Sequence, residues 1–255
     1  MRLALALLLG LAAPAAALDL DGARLVDLTH PFDARTIYWP TARPFTLEPV
    51  AHGITPGGWW YAANDFCAAE HGGTHLDAPV HFAEHRWTAD EIPLDRLVGP
   101  AMVVDVSEKA ARDPDALLAV EDLETFEQRH GRIPDGAIVL VRTSWERHWE
   151  DRARYLGTAE RDPTKLHFPG VGPEAARWLA TARRVRAVGI DTASIDHGPS
   201  RDFRTHRVLG NANVPIFENL ANLATLPPTG AAFIGLPMKI RGGSGGPLRA
   251  VALLP

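Results

Sequence analysis

The chain has 255 residues, of which 46% are hydrophobic and 22% charged, so it can bury a sizeable core and is too apolar to be disordered. A formal net charge of -5 with no basic run argues against nucleic acid or an anionic membrane surface as a partner, and points to small molecules. The single cysteine, Cys67, excludes an intrachain disulfide and is expected to be a small buried hydrophobe.

In chain order, residues 1–17, "MRLALALLLGLAAPAAA", place Arg2 before an apolar run and an Ala15-Ala16-Ala17 cleavage signal, the pattern of a secretory signal peptide. The run is too short for a membrane span and carries Pro14. The expectation is a mature chain from Leu18, periplasmic or secreted, with no membrane contact once the signal is removed. Residues 18–255 contain no repeat or linker and read as one domain. Strands are predicted at "RLVDL" from 24, "AMVVDV" from 101, "AIVLVRT" from 137, "VRAVGID" from 185, "AAFIGL" from 231 and "LRAVALL" from 248. Helices are predicted at "VEDLETFEQRHG", which ends on Gly131, and at "GPEAARWLATARR", with Pro173 in its first turn. The class is therefore α/β. Residues 143–172 mix charges with Trp145, Trp149, Tyr155 and Phe168 without a clean period, and read as a long surface excursion of the kind that often carries function.

The stretch "AEHGGTHLDAPVHFAEH", 69–85, holds four of the eleven histidines. Gly72, Gly73 and Pro79 make a helix improbable, so the segment is extended. Side chains alternate along extended chain, and His71, His75, Asp77 and His81 share one parity. The glycine pair and Pro79 can bend the segment so that His71, His75 and Asp77 converge on one cation, with His81 on its rim. Three ligands with open positions suit a catalytic metal site rather than a structural one. His30 and His85 read as ordinary surface histidines.

Farther on, "GIDTASIDHG" puts Asp191, Ser194, Asp196 and His197 at a strand end, where α/β proteins build sites. Aspartates there also serve commonly as turn or cap residues. "FRTHRVLGNANVPIFENL" adds His206 and Glu218 as further candidates. "GGSGG" around Ser244 lacks the strand-to-helix setting of a serine-hydrolase elbow and reads as a tight loop.

"HGGTHLDAPVHF" resembles the H-x-G-T-H-x-D-x-P-x-H signature of the cyclase family that includes bacterial kynurenine formamidase and isatin hydrolase. "VDLTHPF", "YWP", "GIDTASID", the His206 to Glu218 interval and "LPMKIRGGSGGPLRAVA" resemble family blocks in the same order, over most of residues 24–252. The resemblance implies a three-layer β/β/α domain, assembled as a homo-oligomer. It implies two metal ions, Zn2+ or Mn2+: His71 and His75 on one, His206 on the other, Asp77 bridging and Glu218 touching both. His81 is then the catalytic acid/base. Trp39 lines the substrate pocket, with "WPTA" in place of the usual "WPGD".

The implied activity is metal-dependent hydrolysis of an aryl amide. Glu218 suits the two-metal formamidase pattern, so an N-formyl aryl amide ranks first and a cyclic aryl amide or lactone second. A periplasmic protein that binds a metal or solute without turning it over is the reading from another class.

Overall fold

The computed structural model describes residues 22–255; the expected signal segment lies outside them. The first half contains β1 (Arg24–Asp27), β2 (Thr46–Ile54), β3 (Trp60–Cys67), β4 (His75–Asp77), β5 (Val98–Asp105), α1 (Ser107–Arg112), β6 (Leu117–Leu118), α2 (Val120–His130) and β7 (Ile138–Arg142). The second contains α3 (Arg152–Leu156), β8 (Gly170–Val171), α4 (Pro173–Ala182), β9 (Ala187–Ile190), α5 (Arg204–Asn211), β10 (Ile216–Glu218), β11 (Ala231–Pro237) and β12 (Gly245–Leu254).

Eight strands form one sheet in the order β1-β12-β11-β5-β7-β9-β10-β4, and β4 pairs back onto β12, so the sheet closes on itself like a barrel. β5, β7, β9 and β10 run parallel; the other pairings in this sheet are antiparallel. Side-chain alternation divides the parallel strands between two cores. Ile138 and Leu140 of β7 pack inside the sheet with Val103, Phe217 and Phe233. Val139 and Val141 face outward against Leu123 and Phe126 of α2 and Leu179 of α4. Burial of both faces explains why "AIVLV" shows no polar alternation. Two β layers and one helical layer make the expected β/β/α sandwich.

All six predicted strands and both predicted helices form. α2 opens where the Asp122 carboxylate accepts the Ala119 N–H at 2.7 Å, and α4 opens on Pro173, whose missing N–H costs nothing in a first turn. The β2–β3 hairpin, the three-residue strands β4 and β10, and α5 are additional.

Two expectations are corrected. Residues 143–172 are not a surface excursion: Trp145, Tyr155, Leu156, Leu166 and Phe168 are buried in a third apolar cluster with Ile37. Large aromatic side chains pin this segment without needing a periodic face. Cys67, at the end of β3, is half-buried rather than buried, because its hairpin stands away from the main sheet.

Candidate active site

The glycine pair supplies the bend that the sequence demands. Gly73 sits at φ +59°, and a β-carbon there would meet the Phe32 ring at 2.5 Å. Beyond the bend, β4 presents His75 and Asp77 on one face and buries Leu76 in the inner core on the other. Its register with β10 sets Glu218 opposite His75, and its register with β12 sets Gly245 opposite Asp77. A β-carbon on Gly245 would come within 2.6 Å of the His71 ring, so only glycine leaves that imidazole room. Pro79 starts a single 3-10 turn that carries His81 back over the site. α5 delivers His206 from the opposite side.

Asp77 is the hub. Its Oδ1 lies 2.6 Å from His71 Nδ1 and 3.1 Å from His75 Nε2, and its Oδ2 lies 3.0 Å from His206 Nε2. Glu218 faces His75 with Oε2 at 3.5 Å and His206 with Oε1 at 3.3 Å. His81 stacks on His71 with ring centroids 3.8 Å apart. The donor atoms of His71, Asp77 and His81 lie within 4.8 Å of one another, as do those of His75, Asp77 and Glu218. Both carboxylates are buried, at 2% and 3% exposure, as is His75 at 2%. His85 is exposed, as expected, but His30 is not a surface histidine: its ring stacks on Trp149, its Nε2 is buried without a partner among the described residues, and burial pushes its imidazole down to about 4.

This donor set demands positive charge. Burial alone would push the His75 and His206 imidazoles down. Hydrogen bonds and charge from Asp77 and Glu218, with Asp196 at His206, outweigh it and hold both above the ordinary value. Burial likewise opposes ionisation of Asp77, but the His71 charge and hydrogen bonds from His206, His71 and His75 hold its carboxyl well below the usual range. Glu218 is pushed up by burial and then by the Asp77 charge. Two buried carboxylates beside three imidazoles are the ligand chemistry of a divalent cation, which would occupy the place those protons otherwise take. The residues present therefore fit the implied metal.

Outer partners orient the imidazoles. Asp196 Oδ2 accepts from His206 Nδ1 at 2.7 Å and also caps α5 by accepting the Thr205 and His206 N–H groups. This is the carboxylate–histidine arrangement common behind metal ligands. Ser244 Oγ donates to Glu70 at 2.6 Å and so accepts from His71 Nε2 at 2.8 Å, leaving His71 Nδ1 toward Asp77. The Ile195 N–H donates to Glu218 Oε1 at 2.7 Å. Glu70 and Ser244 carried no spacing signal, and Asp196 read as a possible cap, which it also is. Asp191 stays apart: it accepts from the Thr143 backbone and hydroxyl, and burial pushes its carboxyl up to about 7.

The group forms the floor of a cavity of about 270 Å³ walled by Ile37, Tyr38, Trp39, Phe82 and Phe203. Trp39 lines this cavity. Phe82 and Phe203, ring centroids 5.0 Å apart, were not anticipated, because single phenylalanines carry no spacing signal. Burial pushes the His81 imidazole down to about 4, so it is neutral at pH 7 and free to accept a proton.

Residues 26–197 match the family model described as "Putative cyclase". The chain is 35% identical to the isatin hydrolase of Roseibium aggregatum over 206 residues, covering 78% of this chain and 77% of that protein. It is 30% identical to the kynurenine formamidase of Bordetella avium, covering 84% and 96%. The solved structure of isatin hydrolase A from Ralstonia solanacearum superposes with a TM-score of 0.83 at 36% identity, over 92% of this chain and 93% of that one. With a match across the signature histidines and across nearly the whole fold, the chain belongs to the cyclase family.

Proposed function

We propose that this cyclase-family hydrolase opens a neutral cyclic aryl amide of the isatin type, using a divalent metal, Zn2+ or Mn2+. The observation that carries the reading is the cavity: imidazoles and carboxylates on the floor, aromatic walls, and no Lys or Arg among the described residues lining it. An N-formylkynurenine brings an α-carboxylate that would need a cationic partner there, whereas a cyclic aryl amide needs only the aromatic walls. This reverses the ranking expected from the sequence, and the isatin hydrolase likenesses support the reversal.

His71 and His75 would hold one cation and His206 a second, with Asp77 shared and Glu218, which faces both His75 and His206, reaching both. A bound dication supplies Lewis acidity, lowering the pKa of water and polarising the amide carbonyl. The chain's residues do the rest. Trp39, Phe82 and Phe203 form the apolar wall against which the aryl ring packs, and exclude bulk water. His81 takes one proton from the attacking water and returns it to the departing ring nitrogen, so the amide C–N bond breaks to leave an arylamine and a carboxylic acid on one molecule, and the acid then releases its proton to solvent.

A panel of isatin, formanilides, N-formylkynurenine and aryl lactones, assayed with metal-loaded protein for product identity, tests the reading. Isatin is expected to be turned over fastest. Formylkynurenine preferred by tenfold or more would make the protein a formamidase, and no turnover at all would favour the binding protein. For stoichiometry, two ions per chain are expected at saturation, and Glu218→Gln should weaken the second before the first. One ion in both proteins by elemental analysis would contradict the bridged pair.

The proposed setting is the periplasm, from the N-terminal segment. No helix among the described residues is long and apolar enough to cross a membrane. The β2–β3 hairpin supports the expected homo-oligomer: among the described residues it pairs with no other strand, and it exposes Leu47, Val50, Trp60 and Phe66, although a lone two-stranded hairpin is marginal in water.

A further inference from the structure

We infer that Tyr155 is a positioning residue for His75, acting through Asn219; the inference rests on the metal-dependent reading above. His75 Nδ1 lies 2.9 Å from the Gly73 carbonyl oxygen. A carbonyl only accepts, so Nδ1 carries the hydrogen, and Nε2, 3.1 Å from Asp77 and 3.5 Å from Glu218, is the nitrogen whose lone pair a bound cation would take in place of a proton. The tautomer that can bind a metal through Nε2 is thus set by one backbone oxygen.

That oxygen belongs to the left-handed glycine of the bend, a residue whose backbone no β-carbon restrains. A second donor pins it: Asn219 Nδ2, at 2.7 Å. The Asn219 amide is oriented in turn by the Tyr155 hydroxyl, which lies 2.8 Å from Oδ1 and 3.1 Å from the Asp191 carbonyl oxygen and donates its one hydrogen to the nearer acceptor. With Oδ1 committed to Tyr155, the NH2 group is left to face Gly73. Asn219 sits at φ +54°, a conformation asparagine tolerates better than most residues, and follows Glu218 directly. Tyr155 is fully buried, and its own carbonyl accepts from the Trp145 indole at 2.8 Å. The 143–172 segment, with no residue among the proposed ligands, therefore acts on the metal site through one hydroxyl, one amide and one carbonyl.

The test is Mn2+ titration of metal-stripped protein, followed by the EPR signal of the free ion, beside urea unfolding of the same proteins without metal. The variants are Tyr155→Phe, Asn219→Gly, which keeps the positive φ without strain, and the double variant. Loss of a partner behind a metal-bound imidazole costs about 10- to 100-fold in affinity. Asn219→Gly is expected near the lower end, Tyr155→Phe at severalfold, and the double variant no weaker than Asn219→Gly, because Tyr155 acts only through Asn219. Additive losses would overturn the inference, as would a Tyr155→Phe protein with a lower urea midpoint and unchanged Mn2+ affinity, the result of a purely structural role. If Asn219→Gly fails to fold, Tyr155→Phe alone decides between the two roles, and if Tyr155→Phe fails to fold, unchanged Mn2+ affinity in Asn219→Gly still overturns the inference. A wild-type chain that takes up neither Mn2+ nor Zn2+ would overturn the metal-dependent reading itself, and this inference with it.

Discussion

Asp77→Asn is expected to abolish activity and strip metal from the protein, the largest effect of any single substitution in the floor of the cavity. Asp77 uses both oxygens, Oδ1 between His71 and His75 and Oδ2 against His206. Asparagine keeps one oxygen and replaces the other with a donor, which would face an imidazole nitrogen or a cation with hydrogens. It also removes the negative charge that holds two buried imidazoles against their desolvation. Metal affinity should fall by more than about 100-fold, the upper range for changes that leave the ligands themselves intact.

Thermal denaturation with and without chelator checks this. At ion concentrations about 100 times Kd, wild type should gain about 2.7 kcal/mol from binding, and Asp77→Asn almost nothing. The metal-free wild type should show a pH signature as well. His75 and His206 have raised pKa values in the folded state, so their contribution is complete below their unfolded value of about 6.5 and is lost as pH rises through the raised values. Stability of the stripped protein should therefore decline on the alkaline side of neutrality, and this slope should flatten in Asp77→Asn. An Asn variant that binds metal like wild type would remove Asp77 from the centre of the site.

Much of this arrangement was legible from residue types and parity. The shared parity of His75 and Asp77 is realised on β4, and the glycine pair bends the chain as its lack of β-carbons allows. The strands that were found are those buried on both faces, because a run such as "AIVLV" is unmistakably apolar. β4 and β10 escaped because each has three residues, below the length at which a period can be seen. Their cross-strand pairing, which sets Glu218 beside His75, is a long-range contact that no local pattern encodes. Asp196, Ser244 and Asn219 lie in segments with the composition of ordinary turns, and their bonds to imidazoles or to the Gly73 carbonyl come from tertiary placement. The charge of the cavity was equally hidden. Its walls come from Trp39, Phe82 and Phe203, far apart in the chain, and the lack of a cationic side chain among them is a property of the folded surface. That property moved the substrate ranking.

The second large effect separates a ligand from a base within one stretch of histidines. His81→Ala is expected to lower kcat by roughly 10² to 10⁴ while metal content stays near that of wild type, since loss of a general acid-base group removes proton transfer and not binding. His75→Ala, by contrast, should lose metal and activity together. The geometry makes the comparison sharp, because the donor atoms of His81 lie close enough to those of His71 and Asp77 for His81 to be a ligand. The pH profile supplies an independent reading. A base must be neutral to accept a proton, and burial pushes His81 down to about 4, so wild-type kcat should hold through neutrality and fall only as pH drops toward that value. The alanine variant should lack this acid limb. Metal lost from His81→Ala, measured by elemental analysis, would make His81 a third imidazole on the first ion and leave proton transfer to another group. Full metal with near-normal turnover would leave it neither ligand nor base, and its stacking on His71 would be its only contribution.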